Sequence, residues 1–135
     1  MSKGNLKKII LISLVTVLFA FTANAQQHKQ TSQNPLVLNI KFKVSAEKAD
    51  EFKKVLLDLF DTISHERNFV EAKVYQQLGK PGEFLVNETW NDNIEHFINV
   101  QMKKPYALEY EKTLKELKVE RTPEAYSILG SWKKK

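Results

Sequence analysis

The sequence predicts an α+β domain with element order β-α-β-β-α-β, its second helix split in two, and three observations predict it. Leu36, Leu38, Ile40, Phe42 and Val44 alternate with Val37, Asn39, Lys41 and Lys43, the period-two pattern of a strand with one apolar face. Phe52, Val55, Leu56, Leu59, Phe60 and Ile63 then follow at steps of three and four, the stripe of a helix lying on a sheet. Two further alternating runs, 69–78 and 83–90, flank Gly79-Lys80-Pro81-Gly82. That tetrad is a turn by composition, so the two runs read as a hairpin.

The first 25 residues stand apart from that domain. Lys3, Lys7 and Lys8 lead into an apolar run from Ile9 to Phe21, and Ala23-Asn24-Ala25 precedes Gln26-Gln27. A basic start, a short apolar stretch and small residues before a cut define a secretory signal peptide, cleaved after Ala25. Ser13 and Thr16 interrupt the run, which falls short of the roughly 20 apolar residues of a membrane span. An uncleaved N-terminal anchor is the alternative. The expectation is a secreted or periplasmic protein with no stable membrane insertion after cleavage. Residues 26–35 are polar and read as a disordered tether, 36–132 as one domain, and 133–135 as a basic tail.

Composition narrows the chemistry. The 135-residue chain carries a formal charge of +5. Three of its 21 basic residues lie in the signal and none of its 16 acids does, so the mature chain is only +2. Most of that excess is Lys133-Lys134-Lys135, a solvated end rather than a nucleic-acid surface. There is no cysteine, which excludes disulfides, thioether-linked haem, thiolate metal ligands and a lipoprotein anchor. Four scattered glycines form no phosphate-cradling loop, and no Ser-His-Asp order is defensible.

Within the domain, Ser45 can cap the first helix, which runs to about Ser64. Strand two places Val70, Ala72, Val74 and Leu78 on one parity, and strand three does so with Phe84, Val86, Glu88 and Trp90. Asp92 and Glu95 form a capping-box spacing that starts a short helix with Ile94, Phe97 and Ile98 inward. Pro105 suits the first turn of the next helical segment, whose stripe is Tyr106, Tyr110, Thr113, Leu114 and Leu117. Thr122-Pro123 is expected to end that helical segment, and Ala125 to Trp132 to form the last strand. The order is the split βαβ, ferredoxin-like pattern. Val37, Tyr75, Leu85 and Thr89 fall on the sheet face away from the helices. A partly apolar face of this kind predicts a homodimer in which two sheets pack together.

The strand Leu38-Asn39-Ile40-Lys41-Phe42-Lys43-Val44, the Phe52 helix that follows it, the strand Phe84-Leu85-Val86-Asn87-Glu88-Thr89-Trp90 with its terminal Glu-x-Trp, the helix near Asn93 and the Pro105 junction together resemble the antibiotic biosynthesis monooxygenase domain family. The resemblance runs from about Leu36 to Trp132. It implies a dimeric α/β-barrel scaffold with a pocket between helices and sheet. It also implies quinol monooxygenase-like oxidation of quinols or other aromatics by molecular oxygen, with no cofactor and no metal. A separate branch degrades haem. Many members carry a His, and the haem branch a Trp, at a place that falls here on Asn99 counted without gaps, or on Phe97 by helix face. The stretch from Tyr106 to Leu117 also lacks the haem branch's axial His, so haem degradation is disfavoured.

Strand parity puts Glu88 between Val86 and Trp90 on the helix-facing side. A carboxylate there must be paired, hydrated in a pocket or raised in pKa. Such a base could take a phenolic proton and leave an electron-rich anion to react with oxygen; a structural acid bonded to backbone or a tyrosine is the plainer alternative. Tyr106 and Tyr110 are four apart and share a helix face. With Trp90 and Phe97 they could stack an aromatic ligand and hydrogen-bond its oxygens, or simply fill an aromatic core. Glu88 and Tyr110 are thus the candidate catalytic residues, and Trp90, Phe97 and Tyr106 the candidate binding residues for a small aromatic or quinol-like molecule. His28 lies in the tether, and His65 and His96 fall opposite the apolar stripes. Asp92 and His96 could share a metal by spacing but have no third ligand nearby. A non-catalytic secreted protein that binds a small molecule on the same dimeric scaffold is the alternative function.

Overall fold

The computed structural model describes residues 34–135. The expected signal peptide, the expected tether up to Gln33 and His28 lie outside the described residues. The elements are β1 (Leu36–Lys43), α1 (Ala49–Ile63), β2 (Phe69–Gln76), β3 (Glu83–Trp90), α2 (Ile94–Asn99), α3 (Pro105–Glu116) and β4 (Glu120–Ser127), with single 3-10 turns at Ala46–Lys48 and Gln101–Lys103. The strands form one four-stranded sheet in the order β2-β3-β1-β4, with every neighbouring pair antiparallel. This is the ferredoxin-like βαββαβ arrangement that the sequence predicts.

Register follows the pleat. Leu38 lies opposite Glu88, Ile40 opposite Val86 and Phe42 opposite Phe84, so the inward side chains of the two central strands share the face covered by the helices. Phe52, Leu56 and Ile63 of α1 are buried against that face. Asp50 and Glu51 occupy the first turn of α1, where the helix dipole favours negative charge. Lys118 takes φ 56° after α3 and lets the Val119 N–H reach the Leu114 carbonyl at 2.9 Å, a left-handed helix stop. Gly79 supplies φ 76° in the hairpin. At Gly82 a Cβ would lie 2.1 Å from the Val44 carbonyl oxygen, so only glycine fits that approach.

The core divides into two clusters. One gathers Phe42, Phe52, Leu56, Phe84, Val86, Leu114 and Leu117; the other gathers Leu36, Leu38, Ile63 and Trp90. Among the described residues no helix is long and apolar enough to cross a membrane.

Four sequence expectations are corrected locally. β4 begins at Glu120 and runs through Pro123 to Ser127 instead of starting at Ala125. An edge strand tolerates proline because only one side of it must pair, and Pro123 sits opposite Ile40. Beyond Ser127 there is no regular structure, and Leu129 and Trp132 stand 99% and 89% exposed. The register of β2 shifts between Phe69 and Glu71. Val70 is therefore extruded and exposed while Phe69 packs inward, the usual effect of a bulge; β2 stops at Gln76 and leaves Leu78 in solvent. The cap of α2 is Asn93, whose side chain accepts from the His96 N–H at 2.9 Å, whereas Asp92 accepts from the Asn93 N–H. Ser45 precedes a 3-10 turn and makes no side-chain cap.

Candidate functional site

A cavity of about 100 Å³, open on one side, lies between the sheet and the helical layer. All five sequence-predicted residues line it: Glu88 and Trp90 from β3, Phe97 from α2, Tyr106 and Tyr110 from α3. Strand parity turns the first two inward, and the four-residue spacing on α3 brings both phenols to one side. The rest of the wall is chiefly apolar, with Leu38, Ile40, Leu59, Phe60 and Ile63 prominent. An engineered apolar cavity of about 150 Å³ takes up benzene, so this space is of the size class that receives a single ring.

Glu88 is 4% exposed. Burial pushes its carboxyl up from 4.5 to about 7, against a smaller opposite pull from the nearby Trp90 indole. That pull stops short of a hydrogen bond, because Trp90 Nε1 has no partner. The Trp90 ring itself is fixed edge-on, with centroids 5.4 Å from Phe69 and 5.2 Å from Phe97. The Tyr110 hydroxyl is likewise buried and unpartnered. A buried polar group left unpaired costs about 1–3 kcal/mol. Both unpaired groups belong to residues that line the same cavity as Glu88.

Both phenols are held in the neutral form. Burial raises Tyr110 most; Arg121 opposes, and Glu111 and Glu88 reinforce. Burial also leads for Tyr106, followed by Glu66 and then Glu88. Its hydroxyl points to Gln101 Oε1 at 3.4 Å. Two ion pairs frame the cavity. Arg121 of β4 grips Glu111 of α3 through both guanidinium nitrogens, at 2.5 and 3.1 Å, and Lys104 meets Glu66 where α3 begins.

The histidines stay outside. His65 and His96 are exposed, and His96 Nδ1 contacts Asp92 Oδ2 at 2.8 Å without lining the cavity. Among the described residues no group of three or more His, Cys, Asp or Glu could hold a metal ion. Asn99 is exposed, and Phe97 is the residue of that helix that faces inward.

Sequence reasoning passed over four polar residues of the wall, Gln101, Glu111, Arg121 and Glu124. Arg121 shares the inward parity of Pro123, which the displaced β4 boundary concealed. Gln101 lies in a single 3-10 turn, where no periodicity exists to mark it as buried.

Comparison with known proteins agrees with this architecture. The family model for antibiotic biosynthesis monooxygenases matches residues 35–99. A candidate monooxygenase from Pestalotiopsis microspora is 30% identical over 80 residues, covering 59% of this chain and 67% of that protein. The crystal structure of a candidate antibiotic biosynthesis monooxygenase from Deinococcus radiodurans superposes with a TM-score of 0.65 at 22% identity, over 74% of this chain and 98% of that one. SnoaB, a cofactor-independent oxygenase from Streptomyces nogalater, does so with a TM-score of 0.64 at 15% identity, over 73% and 97%. At these identities the two structures speak for the fold.

Proposed function

The chain belongs to the antibiotic biosynthesis monooxygenase family, and on that premise we propose that it is a cofactor-independent monooxygenase acting on a small quinol or other aromatic. The observation that carries this reading is Glu88: a carboxyl buried in an apolar cavity, poised near pH 7 and flanked by Trp90, Tyr106 and Tyr110. A general base works best when its pKa lies near the working pH.

In this reading Glu88 takes the phenolic proton of the bound ring. The resulting anion is electron-rich enough to pass an electron to molecular oxygen. One oxygen atom stays on the ring and the other leaves as water; a quinol and O₂ give a hydroxyquinone and water, which balances. Trp90 and Phe97 form the walls, and the Tyr110 hydroxyl and Trp90 N–H supply donors to ring oxygens. The apolar lining keeps bulk water from reprotonating the anion.

Two expectations about context accompany the proposal. The protein is exported by the signal peptide read at residues 1–25. It works as a homodimer joined through the sheet face away from the helices, where Tyr75 and Leu85 are exposed and Val37 lies opposite both Thr89 and Tyr126.

Oxygen uptake with a simple quinol tests the enzyme reading. Glu88→Gln is expected to lower the rate about 10²- to 10⁴-fold with the fold intact by circular dichroism. Saturable quinol binding with no oxygen uptake by the wild type would replace the enzyme with a ligand-binding protein on the same cavity. A rate unchanged in Glu88→Gln would remove the base.

A further inference from the structure

Gln101 is only 5% exposed, although it sits on a one-turn 3-10 segment between α2 and α3, a place where a glutamine normally reaches water. The backbone fixes it there: the Val100 N–H bonds to the His96 carbonyl, and the Lys104 N–H to the Gln101 carbonyl. The side chain lines the cavity. Its one side-chain hydrogen bond among the described residues is at Oε1, from the Tyr106 hydroxyl at 3.4 Å. That distance is long for an O–H···O bond. Nε2, with two N–H groups, is left with no partner in a wall otherwise built here from Ile98, Met102 and Phe97. Nε2 is not one of the fully buried unpartnered atoms, so it keeps open surface at the wall, where a ligand oxygen can complete its hydrogen bonds.

Tyr106 has the complementary surplus. Its proton faces acceptors on the protein side, Gln101 Oε1 and the Glu66 carboxylate, so its oxygen lone pairs remain for a ligand. A free phenolic hydroxyl both accepts and donates. The Gln101–Tyr106 pair presents one group for each role: amide N–H to the ligand oxygen, and phenol oxygen to the ligand proton.

We propose that Gln101, acting with Tyr106, is the specificity-determining residue of the cavity, and that it selects rings bearing a free hydroxyl over the same rings with that hydroxyl capped. This rests on the reading of the cavity as a site for an oxygenated ring, but it is independent of whether turnover occurs. A site built to hydrogen-bond a hydroxyl rejects the analogue lacking it more strongly than an apolar pocket discriminates size.

The test is calorimetric titration of the full mature protein under nitrogen with two probes, hydroquinone and 1,4-dimethoxybenzene. The wild type is expected to favour hydroquinone by about tenfold or more. Gln101→Met, close in volume, is expected to shrink that preference to about threefold or less, by weakening hydroquinone while leaving the ether within about twofold. An unchanged preference in Gln101→Met overturns the assignment and leaves the cavity reading standing. Failure of the wild type to bind either probe overturns both. Should Gln101→Met not fold, Tyr106→Phe takes its place: it removes the acceptor and must also erode the preference, and a preference retained there overturns the proposal equally.

Discussion

The two ends of the core are built differently. At one, Phe52 stands between Phe42 and Phe84 with ring centroids 5.3 and 5.2 Å away, and Leu56, Val86 and Leu114 complete an apolar cluster. At the other, Trp90 packs on Phe69 and Phe97, yet its N–H is unpartnered and Glu88 lies buried beside it. The same sheet and the same helices serve both ends. One end contributes stability through close contact, with only its Phe42 and Leu56 bordering the cavity from the buried cluster. The other gives up stability to hold a hole, a carboxyl and unsatisfied donors. An arrangement costly to the folded state is commonly found where function needs it.

The packed end should show the largest loss on truncation. Phe52 is fully buried, so Phe52→Ala removes a complete ring from a close-packed site and is expected to cost about 3–5 kcal/mol, read as a fall in the denaturant midpoint at unchanged slope. An equally large loss for Phe97→Ala would erase the contrast, because Phe97 is half-buried and already borders empty space.

Glu88 sharpens the contrast through pH. Its carboxyl is raised to about 7 in the fold from 4.5, so the native state holds its proton more tightly than the unfolded chain does. Stability from this group is fully present below pH 4.5 and drains away as pH rises through 7; the shift corresponds to at most about 3 kcal/mol. Glu88→Gln removes the titration. It is expected to be more stable than wild type at pH 8, by up to about 3 kcal/mol, with the gap closing below pH 5, as followed by thermal melts across that range. Under the proposed role of Glu88 as base, activity is expected to run the other way, since the base form accumulates above pH 7. A variant more stable at pH 8 and less active would place stability and activity in opposition at one atom. No pH dependence in the difference would mean that Glu88 is not desolvated in solution.

Much of this asymmetry is legible in the sequence, for definite reasons. Strand period two places Glu88 with Val86 and Trp90 on the inner face, and a four-residue step places Tyr106 over Tyr110. Both rules concern local geometry that tertiary packing leaves untouched. The errors occur where tertiary context overrides a local signal. Pro123 reads as a breaker but lies in an edge strand, where its missing N–H is of no consequence. Val70 has inward parity but is displaced by a bulge. Gln101 and the Arg121–Glu111 pair come to the cavity from a turn and from a strand start. No pattern in a single chain marks a turn residue as buried. The cavity itself is also invisible in the sequence, because a stripe of apolar residues looks the same whether it closes on its neighbours or stops short of them.

Tyr110 joins the two ends, and its hydroxyl gives the smallest and most discriminating effect. Its ring packs against the close-packed cluster, while its residue borders the cavity and its oxygen is buried without a partner. Tyr110→Phe keeps the ring and deletes the orphan. If the hydroxyl serves only the fold, its loss should be neutral or destabilising. If it waits for a ligand, its loss relieves a desolvation penalty, and the variant is expected to gain about 1 kcal/mol in chemical denaturation while binding hydroquinone about three- to tenfold more weakly. A gain in stability together with a loss in affinity is the pairing that a packing role cannot produce. Loss of stability with unchanged affinity would assign Tyr110 wholly to the packed end and confine the site to Glu88, Trp90 and the Gln101–Tyr106 wall.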